Sequence, residues 1–575
     1  MNEYYRNELN ALNERGALMA EKYPAHASML DGKGTDPDVE RLLQGTAFFT
    51  SMLKQKLDDE YPELIHQFMR LLFPHYLRPL PSSTIVTFEP QEIDAKRLTV
   101  IPKGTTLSSV PVEGTQCLFK TCYDVELQPI VLRHVEIEGY QNNPMLRLSF
   151  QIMNARLSEW HPSNLRLHLA GDYNIATDLF LLLNNHLEQI RFSTGDHDND
   201  VIVSKKHLHY IGFNENDSLI HYPSNAYPGF RILQEYFFFP EKFLFVDIMG
   251  WNQFKDKGNG DTFDICFVFD RLPKNMNRLT PNHFCLNATP AINLFTHDAD
   301  PIRLDHFRTQ YPVQPSGSNK AHYQIYSIEE VNGFIHGTSK RRLYKTLDDN
   351  RSGTQSMPVY QSHIQKNEEL NSIDFHLSIA YQKDHQPVPE TLSVKTLCTN
   401  GFLAEQLKIN DIHCIADRLP VLVAVRNLSA PNQTLLPPLN SDLLWRLLSH
   451  VNINHVPLTN TKSLKELLNL YVFETERNRK AEQVSKKRIN GINNVSARPA
   501  NRIISGALFQ GQHIEIEASE DHFSSEGDLF LFGCVLNDFF ADYVSMNHFT
   551  SLTIKTMIHG DEYQWQTKSG NRFLI

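Results

Sequence analysis

Five side chains able to ligate a metal, His297, Asp298, Asp300, Asp305 and His306, fall within ten positions of this 575-residue chain, in the stretch AINLFTHDADPIRLDHF at residues 291–307. Imidazole and carboxylate at short spacing commonly hold a transition metal, and a metal-bound water would make such a cluster hydrolytic. The spacing argues against convergence. On a strand His297 and Asp298 project to opposite faces, and Pro301 stops the run from continuing as a helix. There is no H-E-x-x-H or comparable pattern. The preferred reading is a polar turn between two apolar runs, with no catalytic, cofactor-binding or metal-ligating residue. A metal-dependent hydrolase using His297, Asp298 and Asp300 is the alternative.

Other nucleophilic or phosphate-binding patterns are weaker. Cys398 with His413 or His385 would make a thiolate and base, but nothing in the sequence brings them together, and LCTNG reads as a strand entering a turn. Cys117 and Cys122 alternate along a strand-like run and read as half-buried thiols. GKGTD at residues 32–36 lacks the spacing of a phosphate cradle, and no G-x-S-x-G elbow occurs. The seven cysteines are odd in number and scattered, with no C-x-x-C pair, which fits reduced thiols in a cytoplasmic compartment.

The composition limits the partners. With 55 basic and 66 acidic residues the net charge is -11, unlike a dedicated nucleic-acid binder. One region is locally basic, residues 477–502, with Arg477, Arg479, Lys480, Lys486, Lys487, Arg488, Arg498 and Arg502. It has no interleaved aromatics for base stacking, so it reads as a solvated linker in preference to a phosphate or lipid contact centred on Lys486, Lys487 and Arg488. The most apolar region, EYFFFPEKFLFVDIMGW, is interrupted by Pro240, Glu241 and Lys242 and is too short for a membrane span. The amino-terminal residues lack an apolar signal core.

The elements that would position such groups follow from periodicity. Residues 1–80 show three helical stripes. The first includes Tyr5, Leu9, Leu12 and Met19; the second follows the DPDVE start and includes Val39, Leu42, Leu43, Phe49 and Leu53; the third is PELIHQFMRLLF. After HYLRPLPSS the period becomes two. STIVTFEP, RLTVIPKGTTLSS, CLFKTCYDVELQPIVLRHVEI and MLRLSFQIM predict antiparallel strands, with a helix near residues 176–187. Further on, LSVKTLCTN is strand-like, SDLLWRLLSHV and SLKELLNLY are amphipathic, and LFLFGCVLNDFFADYVSMNHF predicts a long apolar helix with Phe532, Val535, Leu536, Phe539, Phe540 and Tyr543 buried. QPSGSNKAH and DDNRSGTQSMP read as exposed loops. The expected fold is α+β and multidomain, with an N-terminal helical region (1–80), a central antiparallel β-rich domain (81–335) and a C-terminal mixed α+β domain (336–575).

The order of these segments resembles one family. YYRNELNALNERG, DPDVERLLQGTAFFTSMLKQKLDDEYPEL, FPHYLRPLPSSTIVTF, YPGFRILQEYFFFPEKFLFVDI, AINLFTHDADPIRLDHFRTQYPVQP, LSVKTLCTNGFLAEQL, LWRLLSHVNIN, SLKELLNLYVF and FGCVLNDFFADYVSMNHFTSL are similar, in this order, to segments of TssF (VasA or ImpG), a baseplate component of the type VI secretion system. Gly401 stands where that family usually has arginine, and Cys534 where serine is common. The resemblance implies a non-catalytic cytoplasmic subunit at the inner-membrane face. Its implied partners are TssG-like, TssE-like and TssK-like subunits, the spike protein and a second copy of itself, with no nucleic acid and no membrane insertion. By similarity to contractile-tail wedges, Leu9, Leu12, Leu42, Leu43, Phe49 and Leu53 are expected to join a second copy and the TssG-like partner in a mixed helical bundle. The bland reading is that residues 1–80 pack on their own β-rich domain.

Overall fold

A computed structural model describes residues 5–6, 9, 41, 44–52, 65–70 and 72–570. Within the last span, 91–98, 140–143, 195–199, 221, 223–227, 256, 274–278, 318, 338–340, 347–357, 368–371, 381–388, 418–422, 440–445, 447–459, 474–478, 505–506 and 544–547 are not described. The loop expected at 348–358, apart from its last residue, and nearly all of SDLLWRLLSHV lie outside the described residues. The chain divides into two compact units. One is Met1–Leu77 with Pro438–Leu448, and the other is Arg78–Pro437 with Ser449–Ile575.

In the smaller unit the described backbone is helical at 44–52 and 65–70 and closes in a short 3-10 turn, Pro74–Leu77. Ala47, Met69, Phe73 and Tyr76 are buried, and the Arg446 guanidinium donates to the Tyr76 hydroxyl at 2.9 Å. Tyr5 and Leu9 of the expected first stripe and Phe49 of the second are among the described residues, whereas Leu12, Met19, Val39, Leu42, Leu43 and Leu53 are not.

The larger unit is strand-rich and built of several sheets. STIVTFEP forms Ser83–Pro90, whose β-branched residues are buried on both faces. It lies in a six-stranded antiparallel sheet ordered Ile412–Ile415, Thr106–Val112, Thr115–Thr121, Ala288–Ile292, Ser83–Pro90 and Val423–Asn427. Val86, Phe88, Leu107, Cys117, Phe119 and Ile412 form its core. The predicted strand Met145–Ile152 pairs with Thr262–Phe269 in a five-stranded sheet. Trp160, Trp251, Phe192 and Phe263 pack there as an aromatic cluster, with Trp251 stacked on Phe192 at 4.5 Å between centroids.

An eight-stranded sheet joins segments from both sides of residue 335, since Gln324–Ile335 runs along Glu390–Thr399. Antiparallel partners need not be sequence neighbours, so sequence spacing carries no trace of this pairing. At the C-terminal end Ala507–Ala518 and His548–Thr556 pair in parallel, which requires a crossover, and the helix Glu526–Tyr543 supplies it. Phe532, Val535, Leu536, Phe539 and Phe540 are buried as expected, against Tyr173–Asn185, Pro228–Phe238 and the C-terminal sheet, while the Tyr543 side chain, expected with them, lies outside the described residues. At Gly527 a Cβ would come within 2.1 Å of the Thr177 carbonyl, so only glycine permits this helix–helix approach. Among the described residues no helix is long and apolar enough to cross a membrane.

Candidate interaction surfaces

His297 sits on the strand Phe295–Asp298, which pairs with Glu390–Thr399. Its Nε2 donates to the Ser316 carbonyl at 2.9 Å, and its ring stacks on Tyr323 with centroids 4.5 Å apart and planes 9° apart. Asp298 is exposed, opposite Lys395 in the ladder. Asp300 pairs with Lys320. Further along, Asp305 accepts from the Tyr311 hydroxyl at 2.8 Å and the Phe307 amide at 3.1 Å, and His306 takes a positive φ of 61°. His297, Asp300 and Asp305 are thus turned to separate partners, and among the described residues no three His, Cys, Asp or Glu side chains could hold one metal ion.

The thiols are placed away from bases. Cys398 is buried, its pKa is pushed up to about 11 by that burial, and it lies 3.2 Å from the Thr396 hydroxyl. His413 is exposed and belongs to the six-stranded sheet, whereas His385 lies outside the described residues. Burial also pushes Cys117 up to about 11 and Cys122 up to about 12, so neither offers a thiolate at neutral pH.

The basic region corrects the linker expectation. Arg479–Asn490 is a helix and Ile492–Ile504 a strand. Lys486 pairs with Glu482 one turn back at 2.8 Å, while Arg488 is buried. The physical reason is a carboxylate forty residues on. Arg488 Nε and Nη2 each lie 2.9 Å from Asp528, which also accepts from Tyr173 at 3.0 Å and from Ser524. The guanidinium lies over the rings of Tyr173 and Tyr236 at 5.3 and 5.6 Å, so the positive charge is met on every side. A second buried set joins Glu235 to Arg231 at 3.0 Å and to Lys242; burial pushes the Lys242 ammonium down to about 8. The first set has no local sequence signature, because Arg488, Asp528 and Tyr173 come from distant elements, whereas in the second Arg231 and Glu235 stand one turn apart on Pro228–Phe238 and Lys242 follows seven residues on.

Surfaces are more conspicuous than sites. In the smaller unit Phe49 is 68% exposed, with Phe48, Met52, Phe68 and Leu72 also exposed, while Leu9 is half-buried. Leu12, Leu42, Leu43 and Leu53 lie outside the described residues. In the larger unit Phe307 projects with 94% of its surface exposed.

These features define a class: a multidomain, strand-rich protein that exposes large apolar side chains in both of its units. The family model for TssF of the type VI secretion system matches residues 1–572, so the chain belongs to that family. Type VI secretion system component TssF1 of Pseudomonas aeruginosa is 28% identical, with 99% of this chain and 98% of the relative covered. A chain in a cryo-electron microscopy structure of the type VI TssK–TssF–TssG baseplate subcomplex superposes with a TM-score of 0.76 at 26% identity, over 93% of this chain and 99% of the other. A chain of the baseplate complex from the type VI secretion system shares the fold, with a TM-score of 0.62 at 22% identity over the full length of both.

Proposed function

We propose that this chain is a structural subunit of a type VI secretion baseplate and assembles with TssG-like and TssK-like subunits. The observation that carries this reading is end-to-end similarity, at a TM-score of 0.76, to a chain of the TssK–TssF–TssG baseplate subcomplex. Catalysis has no part in the role. The finer picture adds a TssE-like subunit, the spike and a second copy as neighbours, at the cytoplasmic face of the inner membrane, with three working regions at 1–80, 81–335 and 336–575.

The helical region is the proposed contact with the TssG-like subunit, through Leu9, Leu12, Leu42, Leu43, Phe49 and Leu53. Support comes from the exposed apolar side chains of Phe48, Phe49 and Met52, since helices with such stripes are completed by helices of other chains. The experiment is capture of the co-expressed TssG-like subunit by this chain carrying Leu42→Asp and Phe49→Asp together, with circular dichroism alongside. A folded double variant that loses capture supports the contact. A folded variant that captures the partner at wild-type yield refutes it.

A further inference from the structure

The strands flanking His306 begin as a hairpin and then part. At the base Ala299 bridges Pro315, the Asp300 amide donates to the Gln314 carbonyl at 2.8 Å, and the Ser316 amide donates to the Asp298 carbonyl at 2.9 Å. The next hydrogen-bonded pair in that register would be Ile302 with Pro312, and Pro312 has no N–H to give. There the arms separate. Ile302–Leu304 pairs with Glu390–Thr399, and Tyr311–Val313 pairs with Ser372–Ala380. A groove of about 370 Å³ lies between them, lined by residues of both arms.

The alternation of the ladder says which backbone groups face this groove. The Val394 carbonyl accepts from Ala299, whereas the Pro389 carbonyl accepts from His336 on the opposite side. Even-numbered residues of that strand therefore bond toward Ile302–Leu304. Ile302 and Leu304, opposite Leu392 and Glu390, turn their backbone groups to it, leaving the amide and carbonyl of Arg303 toward the groove. On the other arm the Gln314 carbonyl faces Asp300, so the Pro312 carbonyl, two residues earlier, faces the groove as well. This is a sheet edge with a donor and two acceptors.

The side chains fit an occupant of definite chemistry. Asp300 is engaged by Lys320, and Asp305 already accepts from Tyr311 and Phe307. Arg303 makes no ion pair among the described residues, and Arg308 stands beside Asp305 at the groove's wall. The two arginines and Lys320 outnumber the two aspartates. At the tip, the Tyr311 hydroxyl accepts from the His306 amide at 3.0 Å, fixing the turn that presents Phe307.

We propose that the groove between Ile302–Leu304 and Tyr311–Val313 is a docking slot for an extended acidic segment of another protein. The segment adds as a short strand along Arg303 and Pro312, its carboxylates meet Arg303 and Arg308, and its apolar side chains cover Phe307. Backbone pairing supplies the fit and the arginines select the charge. The slot lies in the larger unit and does not depend on the helical contact of the smaller one.

The test uses the full-length chain and two fluorescein-labelled peptides of alternating valine, one with glutamate and one with lysine, followed by anisotropy. The wild type should bind the glutamate peptide more tightly than the lysine peptide, with salt weakening the binding. Arg303→Glu with Arg308→Glu should weaken the glutamate peptide by about tenfold or more and favour the lysine peptide. Phe307→Ala should weaken it severalfold with an unchanged melting temperature. Equal binding of both peptides, binding of neither, or binding indifferent to the arginine reversals overturns the proposal. Light scattering supplies a second arm: self-association abolished by Phe307→Asp, with no binding of the glutamate peptide, would give the slot to a second copy and likewise overturn it.

Discussion

Arg488 and Asp528 lie forty residues apart in sequence and meet side by side in the interior, joined by two hydrogen bonds of 2.9 Å. The pair ties the helix Arg479–Asn490 to the start of Glu526–Tyr543, and Tyr173 brings in the helix Tyr173–Asn185. Removing one partner leaves the other charge buried and unmatched. Asp528→Ala should therefore cost about 3–5 kcal/mol, read as a lower urea midpoint with an unchanged slope. A shift worth less than about 0.5 kcal/mol would show that this network does not hold the helices together.

Phe539 is buried beside Phe230, with ring centroids 5.9 Å apart. Truncating a large core aromatic usually costs about 3–5 kcal/mol, so Phe539→Ala should lower the melting temperature by several degrees and reduce soluble yield. An unchanged melting curve would remove this helix from the core.

His168 is buried, and this burial pushes its pKa down to about 4, against an ordinary value of 6.5; the bond from Nδ1 to the Leu244 carbonyl at 3.2 Å offsets only part of that. The folded value is the lower one, so unfolding takes up a proton between pH 6.5 and 4. Stability must fall as pH drops through that window, by about 3 kcal/mol at most from this residue. His168→Gln should flatten the dependence of unfolding free energy on pH there by up to about 1.4 kcal/mol per pH unit. Equal slopes for the two proteins would mean that His168 titrates normally in the fold.

The cluster around His297 should be metal-free. Elemental analysis of purified protein should find no stoichiometric zinc, iron or manganese. One metal per chain, lost in His297→Ala, would restore the hydrolase reading.

Period-two alternation made Met145–Ile152 and Glu390–Thr399 legible as half-buried strands, and the β-branched run of Ser83–Pro90 made that strand legible although it is buried on both faces. The apolar run around Phe539 was legible as a buried helix for the same kind of reason. Strand partners were not legible, since Gln324–Ile335 finds Glu390–Thr399 across a long insertion. Arg488 misled because a basic run looks solvated until its buried counter-ion is known. Gly401, where the family usually carries arginine, adopts φ 52°, and a Cβ there would crowd Gln324 at 2.7 Å. The polar turn expected between the two apolar runs falls later, at 305–310, because Phe295–Asp298 and Ile302–Leu304 follow one another along Glu390–Thr399, and the groove beside it depends on Pro312 meeting Ile302, a matter of register that sequence alone does not specify.

Co-expression of this chain with the TssG-like and TssK-like subunits of the same genome, followed by native mass spectrometry of the affinity-purified material, tests the assembly role most directly. The account predicts one stable species whose mass requires this chain and both partners together. Recovery of the folded chain alone, with both partners expressed and soluble, would contradict it.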